Sequence, residues 1–308
     1  MEKFVQDDFI PNMKNREKLI QSIISDRINE NMSVSVETRV FARSVCRRNI
    51  HMISFGNVSD SPTLYAGTFH GMEWLTGLVL IKFAGKLVHC INNNQKLRGV
   101  DISSYLKKHG LVIIPCVNPD GVEISLHGPC AALNYKNLVY RSSNGNSASW
   151  QANARGVDLN HNFPAKWEDL RKREISQGIN SPSPTRFGGR KPLSEPESFA
   201  LTAICKKYNF RQVFAFHSQG EEIYWSFGEK TPQKSKLMVN VLSASSGYKI
   251  ANPEGLAVGG GFKDWFISAY SRPGFTIEIG KGKNPLPITD LEPIYSKIEE
   301  MLLLGFVI

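Results

Sequence analysis

Four stretches limit this 308-residue chain more than anything else in it: TLYAGTFHG from Thr63, GLVIIPCVNPDG from Gly110, FRQVFAFHSQG from Phe210 and GFTIEIGKG from Gly274. Each is a nearly unbroken apolar run ended by turn-forming residues, and segments long enough for helices lie between them, such as WLTGLVLIKFAGKLVH from Trp74. A strand without polar alternation has no face for water, so it must be covered on both sides. Such strands alternating with helices imply an α/β fold, a mostly parallel sheet between two helical layers.

Ahead of these strands, Leu19, Ile20, Ile23, Ile24 and Ile28 fall at helical spacing within residues 14–31, and SVSVETRVFARSVCRRNIHMISFGN alternates like strands joined by a turn. The interval Ser142–Gly189 is rich in Ser, Asn, Gly and Pro, with little periodicity, and reads as a long functional connection. No linker, repeat or low-complexity tract divides the chain. A single domain is expected, residues 1–49 adding an N-terminal helix and first strands to a catalytic part at 50–308.

With 41% hydrophobic and 10% aromatic residues the chain can bury a sizeable core. Its formal charge of +9 suits an anionic partner, but surface lysines kept for solubility give the same total. No nucleic-acid-binding motif is present and no basic run exceeds RKR, so nucleic acid is not expected as a partner. Cys46, Cys90, Cys116, Cys130 and Cys205 form no C-x-x-C pair and read as small hydrophobes of a reducing compartment. The start MEKFVQDD lacks a secretory pattern, and no uninterrupted apolar run reaches the ~18 residues of a membrane span. A cytoplasmic protein without a membrane partner is expected.

The chemistry gathers where the buried strands end, the edge at which open α/β sheets place their ligands. In FHGME, His70 and Glu73 leave one turn and can converge on one ion, although a turn histidine beside a solvated glutamate is the commoner occurrence of that spacing. QVFAFHSQGEE repeats the grammar, with His217 at the end of an apolar strand. Two histidines and a glutamate make a three-ligand zinc site with a place left for water. Glu278, inside GFTIEIG, is the candidate base: a carboxylate in a buried strand is costly unless it is paired, near a metal or functional. In RGVDLNHNFPAKW, Asp158 can accept the free ring N–H of a zinc-bound histidine, and Arg155, Asn160 and His161 can hold an anionic part of a substrate.

HGMEW, NPDG, GVDLNHNFP, FHS and FTIEIG, in this order, resemble the zinc metallocarboxypeptidase family from about residue 50 to the last. The resemblance implies a carboxypeptidase-like fold with a mixed sheet of about eight strands. It also implies one zinc ion per chain, held by His70, Glu73 and His217, with Glu278 as general base and Asp158 as partner of His70. Two histidines and a glutamate are the ligands of the catalytic zinc in carboxypeptidase A, a member of that family. Asn160, His161 and Ser218 fall at substrate-binding positions. Asn160-His161 departs from the Asn-Arg of digestive members, Leu256 stands where they carry a mobile tyrosine, and Gln151 stands where relatives carry an oxyanion-binding arginine. Arg155 is the candidate replacement for that arginine, and Lys263 falls at the floor of the specificity pocket, where a cation suits a carboxylate.

FHSQGEEIYW with FTIEIGKGKNPLPI is similar to the bacterial γ-D-glutamyl-meso-diaminopimelate peptidase branch. That similarity implies hydrolysis of the γ-D-glutamyl bond to the diamino acid of peptidoglycan stem peptides, with a muropeptide as partner. Two other readings stand beside it: a metallocarboxypeptidase releasing C-terminal L-amino acids, and a non-catalytic peptide-binding module on the same fold.

Overall fold

The structure is a computed structural model that describes residues 34–308 and, before them, Lys18 and Ile20. Apart from those two residues, the helix expected over 14–31 lies outside the described residues. Eight strands form one sheet: β1 (Val36–Arg43), β2 (Asn49–Phe55), β3 (Thr63–Gly67), β4 (Leu111–Ile114), β5 (Gln212–Ser218), β6 (Glu222–Tyr224), β7 (Lys249–Ala251) and β8 (Gly274–Ile279). Their spatial order is β1-β2-β4-β3-β5-β8-β6-β7. Four of the seven pairings are parallel, joining β4, β3, β5 and β8 in the centre and β6 to β7 at one edge. The first two strands form an antiparallel pair that extends the sheet at the other edge.

The apolar runs are buried as their composition demands: every residue of β3, β4 and β5 lies in the interior. Alternate side chains of these strands feed two cores. One face, with Tyr65, Phe214, Phe216, Phe275 and Ile277, packs on α1 (Leu75–Asn92), α7 (Lys234–Ser246) and α9 (Leu291–Val307). The other, with Leu64, Ala66, Val213 and Ala215, packs on α6 (Pro196–Tyr208) and α8 (Phe262–Tyr270). Each large side chain so buried contributes ~1.5–3 kcal/mol, and together they hold the strand ends that carry the site.

Within Gly71–Asn92 an 18-residue stretch is apolar enough to cross a membrane, with a mean hydropathy of 1.5, yet 83% of that stretch is buried inside the fold. It is a core helix, covered on nearly every side.

Two local readings need correcting. NPDG does not end a strand as a turn; the Asn118 side chain accepts from the Gly121 amide and Pro119 takes the first helical position, so the motif opens α3 (Pro119–His127). The interval Ser142–Gly189 is not all loop, because Trp167–Ser176 forms α5. That helix buries little besides Leu170 and Glu174, which left no apolar stripe to read.

Buried carboxylates anchor this interval and the turn between β1 and β2. Asp120 accepts from Ser44 and Arg48, Glu195 from the Asn153 side chain at 2.7 Å, and Glu197 from the Val45 amide at 3.0 Å. Burial, with Asp120 and Glu195 close by, pushes the Glu197 carboxyl up from 4.5 to about 8. The folded state therefore holds a proton that the unfolded chain has released, and stability falls as pH rises through that window. Glu197→Gln is expected to gain melting temperature relative to the native protein as pH rises from 4.5 toward 8, with no such gain below that window. Melts across this range check it, and a constant difference would refute it.

Candidate active site

β3 ends in a turn that the sequence shapes closely. Thr68 adopts a left-handed conformation (φ 54°), its amide donating to Thr76 Oγ1 at 2.8 Å. Gly71 must be glycine, since a Cβ there would lie 2.2 Å from the carbonyl of Gly121 at the start of α3. The amides of Gly71 and Met72 donate to the carbonyls of Gln151 and Trp150, and the Asn118 amide group clamps the carbonyls of Phe69 and Gln151. One turn of 3-10 helix (Gly71–Glu73) then returns Glu73 beneath His70.

His217 reaches the same point from β5, its ring stacked on Phe69. Glu73 Oε1 lies 2.8 Å from His70 Nδ1, Glu73 Oε2 lies 3.0 Å from His217 Nδ1, and the two Nδ1 atoms are 3.3 Å apart. This is the one group of three or more metal-ligating residues among the described residues. Donors each ~2.0–2.1 Å from a tetrahedral ion stand ~3.3 Å from one another, so the three fit one zinc. Burial alone would lower the His70 pKa, but Glu73 and Asp158 lift it well above its usual value. Burial likewise opposes ionisation of Glu73, and His70 and His217 outweigh it, holding the carboxyl at about 2. His217 is held lower than an ordinary histidine, chiefly by burial.

Asp158 Oδ1 stands 3.1 Å from His70 Nε2 and accepts the Asn160 amide, and its Oδ2 accepts the Arg186 amide at 2.9 Å. Although buried, the carboxyl is held well below the usual range by His70, His161 and these bonds. The Nε2–H bond to Asp158 leaves the His70 Nδ1 lone pair aimed at the ion position. His217 Nε2 is buried without such a partner. Asp158→Asn is expected to weaken zinc binding by about 10–100-fold, measured by competition with a chromophoric chelator, and unchanged affinity would refute the role.

Glu278 stands beside the cluster because β8 pairs in register with β5, placing it opposite His217. Burial and the nearby Glu73 carboxylate raise its pKa well above the ordinary range.

The remaining sequence candidates are placed differently. Asn160 Oδ1 accepts the Phe262 amide, and His161 Nδ1 lies 2.7 Å from Glu174 Oε1, a buried carboxylate also bound by Arg171. The structure does not bring Arg155 to the cluster: its guanidinium lies over the Tyr135 ring and 3.5 Å from Glu195. Lys263 Nζ pairs with Asp264 and donates to the Ser226 carbonyl at 2.7 Å. The Ser218 hydroxyl donates to Asn284 Oδ1 at 2.8 Å. Sequence reasoning passed over Glu222 and Tyr224, which stand beside Glu278 and Thr276. A three-residue strand is too short for its alternation to show.

Residues 24–300 match the family Peptidase M14, described as zinc carboxypeptidase. The chain is 38% identical over 265 residues to "Gamma-D-glutamyl-L-diamino acid endopeptidase 1" of Lysinibacillus sphaericus, covering 85% of this chain. It spans 65% of that relative's length. It is 32% identical to "Uncharacterized protein YqgT" of Bacillus subtilis (strain 168), over 87% of this chain and 71% of that protein. Among solved structures, thrombin activatable fibrinolysis inhibitor superposes with a TM-score of 0.72 at 17% identity, over 96% of this chain and 74% of that one. At that identity the likeness is one of fold.

Proposed function

Because the chain belongs to the zinc carboxypeptidase family, we propose that it is a zinc peptidase that hydrolyses the γ-D-glutamyl bond to the L-centre of meso-diaminopimelate in peptidoglycan stem peptides. The name of the 38% identical relative supports the substrate class. The observation that carries the choice is His161, whose ring is bonded inward to Glu174, so that Asn160-His161 presents no free cation to grip a C-terminal carboxylate.

His70, Glu73 and His217 would hold the ion, one per chain. When bound, zinc would polarise the scissile carbonyl and lower the pKa of a water to roughly 7. Glu278, in the same row of the sheet as His217, would be the base that takes a proton from the attacking water and returns it to the leaving nitrogen. Asp158 fixes the His70 tautomer through Nε2. A cytoplasmic setting, on imported or recycled muropeptides, belongs to the same proposal; the five free thiols support it.

The test is zinc-replete protein incubated with L-Ala-γ-D-Glu-meso-diaminopimelate and with blocked dipeptides ending in L-amino acids, followed by mass spectrometry. Loss of the diamino acid from the first is expected. Cleavage of the dipeptides alone would replace the proposal with C-terminal carboxypeptidase action, and cleavage of neither would favour a binding module.

A further inference from the structure

β8 is flanked by β5 and β6. Glu278 stands opposite His217 on one side and Glu222 on the other, and Thr276 stands opposite Ala215 and Tyr224. Directly opposed residues share a face of the sheet, so His217, Glu278 and Glu222 form one row, and Ala215, Thr276 and Tyr224 a second row ~7 Å away. The next position of β8 on that face is Gly274, where a Cβ would lie 3.2 Å from Lys263 Cγ. A strip of sheet face thus runs from the metal ligands past Glu222 and Tyr224 to Lys263.

Charge along this strip is unbalanced. Lys263 is neutralised by Asp264, whereas Glu222, half-buried, accepts a hydrogen bond from the neutral Tyr224 hydroxyl, 2.7 Å from Oε2. Like charges directly opposite on neighbouring strands are unfavourable, and Glu222 faces Glu278. A cation received between them would relieve both.

We propose that Glu222, oriented by Tyr224, is a specificity residue that receives an ammonium group carried on the side chain of the leaving amino acid. The proposal rests on Glu278 as the base described above: because Glu278 protonates the leaving nitrogen, the leaving residue lies over this strip. A lysine-like side chain, long enough to cross from Glu278 to the neighbouring strand, brings its ammonium to the Glu222 carboxylate. An uncharged side chain of equal length leaves that carboxylate unsatisfied.

Peptides carrying lysine or norleucine after the scissile bond, each on a γ-D-glutamyl and on an α-L-linked acyl half, are compared for the native protein, Glu222→Gln and Tyr224→Phe, with zinc content checked for each. The native protein is expected to favour lysine, and Glu222→Gln to lower the lysine/norleucine ratio of kcat/KM by about ten- to hundredfold, as for loss of a charge-assisted hydrogen bond. Tyr224→Phe shifts the ratio the same way by a smaller factor. An unchanged ratio in Glu222→Gln overturns the proposal, because a merely structural Glu222 would lower both rates alike. If only α-linked peptides are cut, the γ-D-glutamyl assignment falls and the α-linked ratio still decides Glu222. Calorimetric binding of free L-lysine and L-norleucine to the zinc-loaded protein yields the same ratio without turnover.

Discussion

Replacing Glu278 by glutamine is expected to leave zinc bound and to lower kcat by about 10²–10⁴-fold, the usual contribution of a positioned base. Glutamine keeps the shape and accepts hydrogen bonds, but it cannot take a proton from water and return it to the leaving nitrogen. The side chain sits between His217 and Glu222 in the sheet, so the substitution changes charge without changing the register that positions it. Glu278 acts as a base only when ionised, so native activity should decline toward acid as its carboxyl gains a proton, and the residual activity of the variant should lack this limb. Single-turnover kinetics with elemental analysis decide the matter. A loss below tenfold with zinc in place would remove Glu278 from the reaction.

Glu73→Ala is expected to abolish zinc retention and, with it, detectable turnover. Its two oxygens stand 2.8 and 3.0 Å from the Nδ1 atoms of His70 and His217, so truncation removes a ligand and the charge that draws both rings together. Chelation of the native protein should reproduce the loss, and added zinc should reverse it in the native protein only. A ligand that binds only the folded state at a thousand times its Kd stabilises it by about 4 kcal/mol, so the chelated protein should also melt lower. Because Glu73 and Asp158 raise the His70 pKa, protons compete with zinc for its ring, and apparent affinity should weaken as pH falls. Retained metal in Glu73→Ala, shown by elemental analysis after gel filtration, would overturn this ligand set.

Much of the architecture was legible because burial on both faces leaves a plain mark: TLYAG, LVII, QVFAFHS and GFTIEI are apolar almost throughout and became the four central strands. Their termini could be named for the same reason, since a histidine or glutamate that ends or interrupts such a run stands out. β6 and β7 escaped notice, being three residues each and recruited by their neighbours rather than by their own pattern. α5 escaped because a largely solvated helix carries no apolar stripe.

The amino-acid sequence by itself determined the layering of the sheet and the kinds of chemical group at its central edge, because hydrophobic patterning and residue type are local properties. Which partner each polar side chain takes was decided only in three dimensions. His161 is bonded to Glu174, Arg155 lies beside Glu195, Lys263 is paired with Asp264, and Glu222 stands opposite Glu278. A hydrogen bond or ion pair depends on ångström distances between segments far apart in the chain, or on the direction a side chain takes within one, and those are set by strand register and helix packing.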